Sequence, residues 1–515
     1  MGMGKNMSGN AATYFVDRHN KEAYAKKAAF IEFDGKQRVL SYRKLALESS
    51  KLADLYKRHN IARNDRVALL LLDQIEFPVV FWGSLKAGVV PVALNTLLAT
   101  DVYATILQDC QAKALFVSDA LLPVVEPLLQ NHATIKSVFV TGEGSSWLSF
   151  DDEIKTCESQ KPVSAAATDI AFWLYSSGST GRPKGVRHAH GGMQYTSDTY
   201  GQQVMGVNHD DVVYSAAKFF FAYGLGNAMT FPMAVAATTV LLSGRPTPDG
   251  VLDILNKQSP TIFCGVPTLY AATIAHLESG AASCQAPLRR CISAGEALPA
   301  SVGHKWKEIT GCDILDGVGS TEMLHIFLSN RADDVEYGTS GIAVPGYELR
   351  LVNTQGDEVG VDEVGELLVK GISSAVDYWN QPEKSAATFE NGWTRTGDKY
   401  ERNAGGRLVY CGRTDDMFKV SGIWVSPFEV EQAIMSHPDV LEAAVVAARD
   451  EQGLEKPKAF VVLKNQQENT EFVNVLKDLV KERIGKWKYP RWVEIVSDLP
   501  KTATGKIQRF KLRDQ

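Results

Sequence analysis

The segment Tyr175–Gly185 concentrates residue types that bind phosphate. Glycine lets the backbone approach an oxyanion and turn its N–H groups toward it, hydroxyls add neutral donors, and lysine adds a positive charge. These groups are supplied by Ser176, Ser177, Gly178, Ser179, Thr180, Gly181 and Lys184. An apolar run precedes the segment and a helix is predicted at Gly191–Met205, so we expect a phosphate-binding turn between a strand and a helix.

Two familiar phosphate motifs do not fit this segment. Gly178 is followed five residues later by Pro183 rather than by Gly-Lys, which excludes the Walker A pattern of P-loop proteins. The glycine spacing also differs from the G-x-G-x-x-G pattern of dinucleotide-binding enzymes. The sequence therefore predicts a phosphate site of another kind.

The elements that must position this segment follow a β-α rhythm. Arg66–Leu72 and Val89–Ala93 are predicted strands, and Phe77–Lys86 between them is a predicted helix. Short buried strands that alternate with helical spacing are typical of β-α units with largely parallel sheets. The further strands predicted in this part are Ile170–Tyr175, Val212–Ser215, Thr261–Gly265 and Arg290–Ser293. We therefore expect an α/β fold.

Beyond Ser340 the pattern changes. Glycine becomes denser and apolar residues alternate along short runs, which favours an antiparallel or β-barrel-like segment. Its predicted strands are Tyr347–Val352, Gly365–Val369 and Arg407–Tyr410. We expect this segment to complete the larger part of the chain.

The run Gly412–Asp416 interrupts that pattern, and a βαββ pattern follows it. The predicted helices there are Pro427–Ser436 and Glu471–Ile484, and the predicted strands are Glu442–Val446, Ala459–Leu463 and Val493–Val496. We place a boundary at Asp415. The sequence then predicts a large N-terminal domain of α/β layers at residues 1–415 and a small, mobile α+β domain at residues 416–515.

The composition excludes several classes of protein. With 515 residues, 45% hydrophobic and 22% charged, the chain has ordinary globular usage, and its net charge of −6 argues against a nucleic-acid-binding protein. Apolar windows such as Pro232–Leu242 fall short of the ~20 residues that span a bilayer, and Met1–Asn10 shows no signal pattern. The seven scattered cysteines contain no C-x-x-C pair, which favours reduced thiols. We expect a cytoplasmic protein with small-molecule partners, without nucleic acid and without membrane.

The segment Tyr175–Gly185 resembles the phosphate loop of the adenylate-forming superfamily, which comprises acyl- and aryl-CoA synthetases, adenylation domains and firefly-type luciferases. Five further motifs follow in the family's order, so the resemblance extends over nearly the whole chain. These motifs are Ser293–Glu296, Gly317–Glu322, Thr396–Asp398, Gly412–Asp416 and Pro500–Lys506. The resemblance implies an enzyme that joins a carboxylic acid to AMP and then transfers the acyl group to a thiol.

The chemistry brings two anions together, so the site needs positive charge and hydrogen-bond donors at the α-phosphate of ATP and at the carboxylate. The resemblance implies that Glu322 binds Mg²⁺ and that Thr321 donates to the α-phosphate, with ATP and CoA as co-substrates. It also implies that the catalytic Lys506 bridges the carboxylate and the adenylate. A flexible lysine suits that role because it delivers a compact charge that can be withdrawn.

The nucleoside contacts are implied in the same way. Asp398 matches the acid that accepts hydrogen bonds from both ribose hydroxyls, and Arg413 stands where a second ribose contact is expected. Asp316, followed by Gly317, is assigned to the adenine amino group. In most relatives an aromatic residue stands at the position of Val318, so another side chain must cover the adenine face here.

Two half-reactions in one cleft require different surroundings, because adenylation needs Lys506 and thioester formation needs room for a pantetheine thiol. The resemblance implies that Asp415 is the hinge about which the small domain rotates between these states. It also implies that Gly422 presents backbone along the pantetheine tunnel. The oligomeric state is expected to be a monomer or a homodimer.

The segments Lys218–Asn227 and Ser320–Asn330 are similar to benzoate–CoA ligases, and nearly as similar to hydroxybenzoate–CoA ligases. The first segment is predicted where a strand passes into a loop. The small, flat pocket implied for the aromatic acid is lined by Ala222, Tyr223, Ala294, Gly295, Gly319, His325 and Ile326. Benzoate is the first prediction for the acid, and 4-hydroxybenzoate or another substituted benzoate is the second.

Two other classes of protein compete with an aryl-CoA ligase. An enzyme that loads a carrier protein would make the adenylate and transfer it to a tethered thiol. A non-catalytic nucleotide-binding sensor would be expected to lose Lys506 or Glu322, and both residues are present. Release of AMP that depends on an aromatic acid and on CoA distinguishes the three classes.

Overall fold

The computed structural model describes residues 9–21, 23–130, 132–144, 146–177, 183–280, 283–414, 416–420, 423–451, 454–464, 470–501 and 507–513. The chain forms two compact units. The first comprises Met1–Glu348 and Val369–Thr394, and the second comprises Leu349–Leu368 and Arg395–Gln515.

The strands, in chain order, are β1 (Ala28–Glu32), β2 (Val39–Ser41), β3 (Arg66–Leu70), β4 (Val90–Ala93), β5 (Ala114–Ser118), β6 (Ser137–Thr141), β7 (Leu148–Ser149), β8 (Ile170–Ser177), β9 (Pro183–Ala189), β10 (Val212–Ser215), β11 (Thr238–Leu241), β12 (Ile262–Gly265), β13 (Arg290–Ala294), β14 (Ile314–Gly319), β15 (Ile326–Ser329), β16 (Ile342–Ala343), β17 (Glu348–Val352), β18 (Gly365–Lys370), β19 (Asp377–Tyr378), β20 (Phe389–Glu390), β21 (Trp393–Arg402), β22 (Leu408–Arg413), β23 (Phe418–Val420), β24 (Ile423–Val425), β25 (Val440–Arg449), β26 (Glu455–Leu463) and β27 (Trp492–Ile495).

The α-helices are α1 (Ala11–Phe15), α2 (Tyr42–Arg58), α3 (Glu76–Ala87), α4 (Thr100–Cys110), α5 (Leu122–Leu129), α6 (Phe150–Lys155), α7 (His190–Thr196), α8 (Ala222–Leu225), α9 (Phe231–Ala234), α10 (Pro248–Gln258), α11 (Pro267–Glu278), α12 (Ala300–Thr310), α13 (Pro382–Thr388), α14 (Pro427–Met435), α15 (Thr470–Ile484) and α16 (Phe510–Arg513). Two π-helical segments, Ser197–Met205 and Gly226–Thr230, continue α7 and α8.

Two large sheets organise the first unit. One has nine strands in the order β16-β15-β14-β13-β12-β10-β11-β1-β2, and the other has eight in the order β19-β9-β8-β4-β3-β5-β6-β7. Most neighbouring strands run parallel, as for β12 with β13 and β3 with β4. Their apolar runs are buried on both faces because helices cover the sheets. This confirms the α/β prediction for the larger part of the chain.

Local sequence explains why several elements begin and end where they do. Ser41 caps α2 by accepting a hydrogen bond from the N–H of Lys44. Helix α3 ends at Gly88, whose φ of 73° lies in the left-handed region that glycine adopts without strain. The predicted helix Phe77–Lys86 and the strands on either side of it are therefore confirmed to within three residues.

The predicted turn between a strand and a helix is wrong. Residues Pro183–Ala189 form strand β9, which pairs antiparallel with β8, and α7 begins only after it. The predicted segment Tyr175–Gly185 therefore begins in β8 and ends in β9. Strand β9 was not predicted from the sequence. Its polar residues Lys184 and Arg187 lie beside the buried Val186, and the run is too short to show a clear alternation of apolar and polar residues.

The second unit has antiparallel character near its start and a separate βαββ layer after it. Strand β21 pairs antiparallel with β22, which confirms the antiparallel segment predicted beyond Ser340. Strands β25, β26 and β27 form a three-stranded sheet, and α14 and α15 pack on it through buried residues such as Val430 and Leu476. The predicted small α+β layer is therefore present.

Packing assigns residues 395–415 to the second unit. The domain boundary at Asp415 was predicted from the change of sequence pattern, and the division into 1–415 and 416–515 stays a prediction. Within the residues that the structure describes, we find no helix whose length and apolar character would let it cross a bilayer.

Candidate active site

The β8–β9 hairpin carries the described part of the predicted phosphate segment. Ser176 lies opposite Lys184 in the antiparallel register. The Oγ atom of Ser176 is buried and has no hydrogen-bond partner among the described residues, so it is available to a ligand. The predicted Gly178, Ser179, Thr180 and Gly181, and the side chain of Ser177, lie outside the described residues.

Lys184 and Glu322 meet at the end of this hairpin where β8 stops and β9 begins. The Nζ atom of Lys184 lies 4.0 Å from Oε1 of Glu322, and their side chains are 12% and 17% exposed. Tyr378 completes the group: its hydroxyl donates to the same Oε1 atom at 2.8 Å, and its ring centroid lies 4.7 Å from Nζ of Lys184. The sequence motifs did not single out Tyr378. We call Lys184, Glu322 and Tyr378 the carboxylate cluster.

Backbone hydrogen bonds hold the turn that carries Thr321 and Glu322. The N–H of Leu324 donates to the carbonyl of Thr321 at 3.1 Å, and the N–H of Ala375 donates to the carbonyl of Glu322 at 2.7 Å. Leu324 adopts a φ of 66°, a left-handed conformation that is strained for a bulky side chain. Strain of this kind persists only where surrounding contacts fix the backbone, and the two backbone hydrogen bonds at Thr321 and Glu322 are such contacts.

Asp316 is a buried acid with unused hydrogen-bonding capacity. It lies on β14 next to Ser293 of β13, and burial raises the pKa of its carboxyl to about 8. The N–H of Leu298 donates to Oδ2 at 3.4 Å, whereas Oδ1 has no partner among the described residues. Such a group can bond an amino group of a ligand. A Cβ atom on Gly317 would lie 2.9 Å from Ile326, so the following position requires glycine.

The residues predicted to line the aromatic pocket come together in the first unit. Ala222 and Tyr223 lie on α8 rather than in a loop, which corrects the position predicted for that segment. Gly319 on β14 pairs with Ile326 on β15. Gly319 has no room for a side chain, because a Cβ atom there would lie 2.6 Å from the carbonyl oxygen of His325. Ala294 and Gly295 lie at the end of the neighbouring strand β13.

Tyr223 is fixed by hydrogen bonds to backbone. Its hydroxyl lies 3.0 Å from the carbonyl oxygen of Gly265 and 3.2 Å from that of Ile292, and it donates to them. Because one hydroxyl carries one proton, that proton is already committed to the protein. Tyr223 therefore contributes mainly its ring to the pocket.

His325 is neutral in the fold. It is 2% exposed, and burial lowers its pKa to about 3. Its Nε2 atom lies 3.3 Å from the carbonyl oxygen of Tyr223, while Nδ1 has no partner among the described residues. The rings of Tyr200 and Phe231 lie 5.0 Å and 4.5 Å from its ring centroid. Sequence reasoning missed both rings, because they come from segments without a recognisable motif.

The predicted ribose residues meet within the second unit. Asp398 on β21 lies opposite Arg413 on β22, and Nη1 of Arg413 donates to Oδ1 of Asp398 at 2.9 Å. The same Nη1 atom donates to the carbonyl of Thr396 at 3.0 Å. Gly397, which lies between Thr396 and Asp398 in the sequence, has a φ of 72°, so a glycine is needed at this bend. The guanidinium of Arg413 therefore holds the carboxylate of Asp398 in place.

Three predicted residues, Asp415, Gly422 and Lys506, lie outside the described residues. Lys501, near the start of the lysine motif, and Ile507, directly after the motif, pair as an isolated antiparallel bridge. Next to the predicted hinge, Asp416 forms an ion pair with Arg513. The roles of the three residues stay predictions.

The described residues include no group of three or more His, Cys, Asp or Glu side chains placed to hold a metal ion. His188 and His190, two residues apart in the sequence, are both buried; His188 stacks on Phe172, and His190 accepts a hydrogen bond from the N–H of Ala11. A lone carboxylate such as Glu322 still suits Mg²⁺, which usually takes one or two carboxylates together with substrate phosphates.

Comparison with known proteins identifies the family of the chain. Residues 17–379 match the AMP-binding enzyme family, and residues 429–506 match the AMP-binding enzyme C-terminal domain. The 4-hydroxybenzoate–CoA/benzoate–CoA ligase of Rhodopseudomonas palustris is 50% identical over 509 residues, which cover 98% of this chain and 94% of that protein. The benzoate–CoA ligase of Thauera aromatica is 50% identical over 510 residues, with 98% and 95% covered.

A solved structure supports the same conclusion. The benzoate CoA ligase from Burkholderia xenovorans LB400 matches this fold with a TM-score of 0.90 and 45% identity, and the match covers 98% of this chain and 99% of that one. The resemblance to adenylate-forming enzymes and the predicted combination of a large and a small domain are thereby confirmed. The chain belongs to the AMP-binding enzyme family.

Proposed function

We propose that the chain is an AMP-forming acid–thiol ligase that converts benzoate, ATP and CoA into benzoyl-CoA, AMP and pyrophosphate. The observation that carries this proposal is the 50% identity, over 98% of the chain, with two ligases whose names include benzoate and CoA. The carboxylate cluster supports it, because a lysine and a glutamate close to a hydroxyl-rich hairpin suit a site for a nucleoside triphosphate.

In the first half-reaction a carboxylate oxygen of benzoate attacks the α-phosphorus of ATP, and pyrophosphate leaves. Lys184 and the hydroxyls of the hairpin supply positive charge and donors, and Thr321 donates to the α-phosphate. Mg²⁺, bound by Glu322 together with the phosphates of ATP, would neutralise part of the charge. Lys506 bridges benzoate and the α-phosphate, so the two anions meet with less repulsion.

In the second half-reaction the thiolate of CoA attacks the acyl carbon of benzoyl adenylate, and AMP leaves. Lys506 must withdraw to make room for pantetheine, and a rotation about Asp415 achieves this in our proposal. Gly422 then presents bare backbone to the pantetheine arm. Asp398 and Arg413 hold the ribose in both half-reactions.

The choice of acid follows from the polarity of the pocket. Tyr223 has committed its proton to backbone carbonyls, and Ala222, Ala294 and Ile326 are apolar. An apolar pocket discriminates against an added hydroxyl by only ~10², whereas a pocket built to bond that hydroxyl rejects the unsubstituted ring by ~10⁴–10⁵. We therefore propose benzoate as the preferred acid and expect 4-hydroxybenzoate to be used as well.

One observation favours 4-hydroxybenzoate as the alternative acid. Nδ1 of His325 is buried beside the pocket without a partner among the described residues, so it can bond a ring hydroxyl. The Rhodopseudomonas palustris relative is named for both acids. We place the reaction in the cytoplasm, where ATP and CoA are supplied; whether the enzyme is a monomer or a homodimer stays a prediction.

A coupled assay of AMP release tests the proposal. The purified chain is given Mg·ATP and benzoate, 4-hydroxybenzoate, anthranilate or acetate, with and without CoA. We expect CoA-dependent AMP release with benzoate, with a kcat/KM for 4-hydroxybenzoate lower by no more than ~10². Exchange of labelled pyrophosphate into ATP without turnover of CoA would indicate an enzyme that loads a carrier protein. No exchange with any acid would indicate a non-catalytic nucleotide-binding protein.

A further inference from the structure

Tyr378 touches both charged members of the carboxylate cluster. Its hydroxyl donates to Oε1 of Glu322 at 2.8 Å, and its ring centroid lies 4.7 Å from Nζ of Lys184. The side chain is 4% exposed, so these contacts are shielded from water. Away from water, a hydrogen bond to a charged group is stronger, and so is the attraction between a cation and the face of an aromatic ring.

The fold leaves Tyr378 little freedom to move. It lies on β19, which pairs with β9 so that Tyr378 faces Val186, and the N–H of Trp379 donates to the carbonyl of Gly185 at 2.8 Å. On the other side, the N–H of Tyr378 donates to Oγ of Ser385 at 3.0 Å. The position of the phenol is therefore fixed by the same strand that carries Lys184.

We propose that Tyr378 is a positioning residue for adenylation, which holds Oε1 of Glu322 so that Oε2 faces the cation accompanying ATP. This inference rests on the proposed function, in which Glu322 binds Mg²⁺. A neutral phenol suits the task because it orients the carboxylate without neutralising it, whereas a second cation would compete with Mg²⁺. Its ring also keeps the ammonium of Lys184 beside the carboxylate while leaving the charge of both groups unchanged.

The test compares Tyr378→Phe with Tyr56→Phe in the full chain. Tyr56 is a matched control, since its buried hydroxyl also makes one hydrogen bond, at 2.6 Å to Oγ of Ser84, away from the cluster. Binding of Mn²⁺ in the presence of ATP is followed by the electron paramagnetic resonance signal of free Mn²⁺. Partners of metal ligands typically change metal affinity by 10–100-fold, so we expect Tyr378→Phe to raise the Kd of Mn²⁺ about 10-fold or more and Tyr56→Phe to leave it unchanged.

Thermal unfolding of the two variants separates positioning from stability. Each variant loses one buried hydroxyl, so similar decreases in Tm together with a Mn²⁺ effect confined to Tyr378→Phe support the proposal. An equal Mn²⁺ effect in both variants, or none in Tyr378→Phe, would overturn it. Phenylalanine keeps the ring over Lys184, so the variant isolates the hydroxyl.

A double-mutant cycle with Glu322→Ala tests whether Tyr378 acts through the carboxylate. If it does, Tyr378→Phe has no further effect on the Kd of Mn²⁺ once Glu322 is removed. Independent, additive effects would contradict a positioning role. If Glu322→Ala itself binds Mn²⁺ with ATP as the wild type does, the cation role of Glu322 fails, and this inference fails with it, whereas the ligase activity is tested separately by AMP release.

Discussion

Nζ of Lys184 lies 4.0 Å from Oε1 of Glu322, and this contact joins the two large sheets of the first unit. Lys184 belongs to β9 of the eight-stranded sheet, and Glu322 lies in the turn between β14 and β15 of the nine-stranded sheet. Two largely buried charges of opposite sign thus attract each other where we place the phosphates of ATP. In the proposed function, binding of Mg·ATP would exchange part of this attraction for contacts with phosphate and cation.

Glu322→Gln should slow adenylation without unfolding the chain. The amide keeps the volume and can still accept from Tyr378, but it lacks the charge that binds Mg²⁺. We expect pyrophosphate exchange to fall by about 10²–10³, the range for loss of one preorganised electrostatic group, and the Mg²⁺ concentration for half-maximal rate to rise. Glu383→Gln removes an exposed carboxylate of the same unit and is the control. Unchanged Mg²⁺ dependence in Glu322→Gln would contradict the assignment.

Asp398→Asn should weaken ATP binding specifically. The carboxylate is held by Arg413 at 2.9 Å, so the ion pair and the two proposed ribose bonds would both depend on its charge. Hydrogen bonds to charged groups contribute about 1.5–3 kcal/mol, so the KM for ATP is expected to rise about 10–100-fold. Glu366→Gln breaks a comparable ion pair with Arg395, at 3.0 Å in the same unit, and should leave this KM unchanged. Equal effects of the two substitutions on KM would exclude a ribose role.

Much of the fold was predictable because its signals are local. The helix predicted at Pro427–Ser436 is observed at Pro427–Met435, where Ser426 caps it and apolar residues recur at helical spacing. The buried run Val212–Ser215 is a strand with the predicted bounds. In these cases propensity, capping and periodicity agree, so no distant contact has to decide the structure.

The predictions that were wrong or missing concern elements whose structure depends on contacts between residues far apart in the sequence. Strand β9 forms because β8 and β19 pair with its two edges, a long-range effect that its polar residues do not indicate. Helix α8 forms although Gly224 lowers helix propensity, because the glycine has no Cβ atom to collide with the carbonyl of Lys218. Tyr378 was missed because β19 has only two residues and its partner Glu322 is remote in the sequence.

Lys506→Ala should separate the two half-reactions. In the proposed function the lysine is needed when two anions meet in adenylation and withdraws when CoA attacks, so its loss should affect the first step more. We expect pyrophosphate exchange to fall by at least ~10²–10³, and thioester formation from preformed benzoyl adenylate to change much less. Both rates are measured in single-turnover experiments.

The control for Lys506→Ala is Lys511→Ala, which removes an exposed lysine from the same end of the chain and changes the net charge equally. It should retain both rates. Comparable losses in both half-reactions for Lys506→Ala would contradict the bridging role and indicate a lysine that supports the second unit as a whole.

His325 should make the first unit less stable as the pH falls. Burial lowers its pKa to about 3, whereas the unfolded chain has a histidine pKa of about 6.5. Above pH 6.5 neither state binds the proton; between pH 6.5 and pH 3 only the unfolded state does, so the free energy of unfolding decreases as the pH falls. This one residue contributes a loss of about 2 kcal/mol between pH 7 and pH 5. His325→Gln removes that contribution, although it also lowers stability at pH 7 through lost packing with Phe231.

Urea unfolding at pH 7 and pH 5 measures the difference. His188 has a similarly low pKa and Asp316 has a raised pKa, which acts with the opposite sign, but both remain in the variant and cancel in the comparison. We expect the decrease in unfolding free energy between the two pH values to be smaller in His325→Gln than in the wild type. His209→Gln, which replaces an exposed histidine, should retain the wild-type decrease. If His325→Gln also retained the wild-type decrease, His325 would already bind a proton in the folded pocket. We would then have to abandon the neutral, partly unpaired imidazole, on which the choice between benzoate and 4-hydroxybenzoate depends.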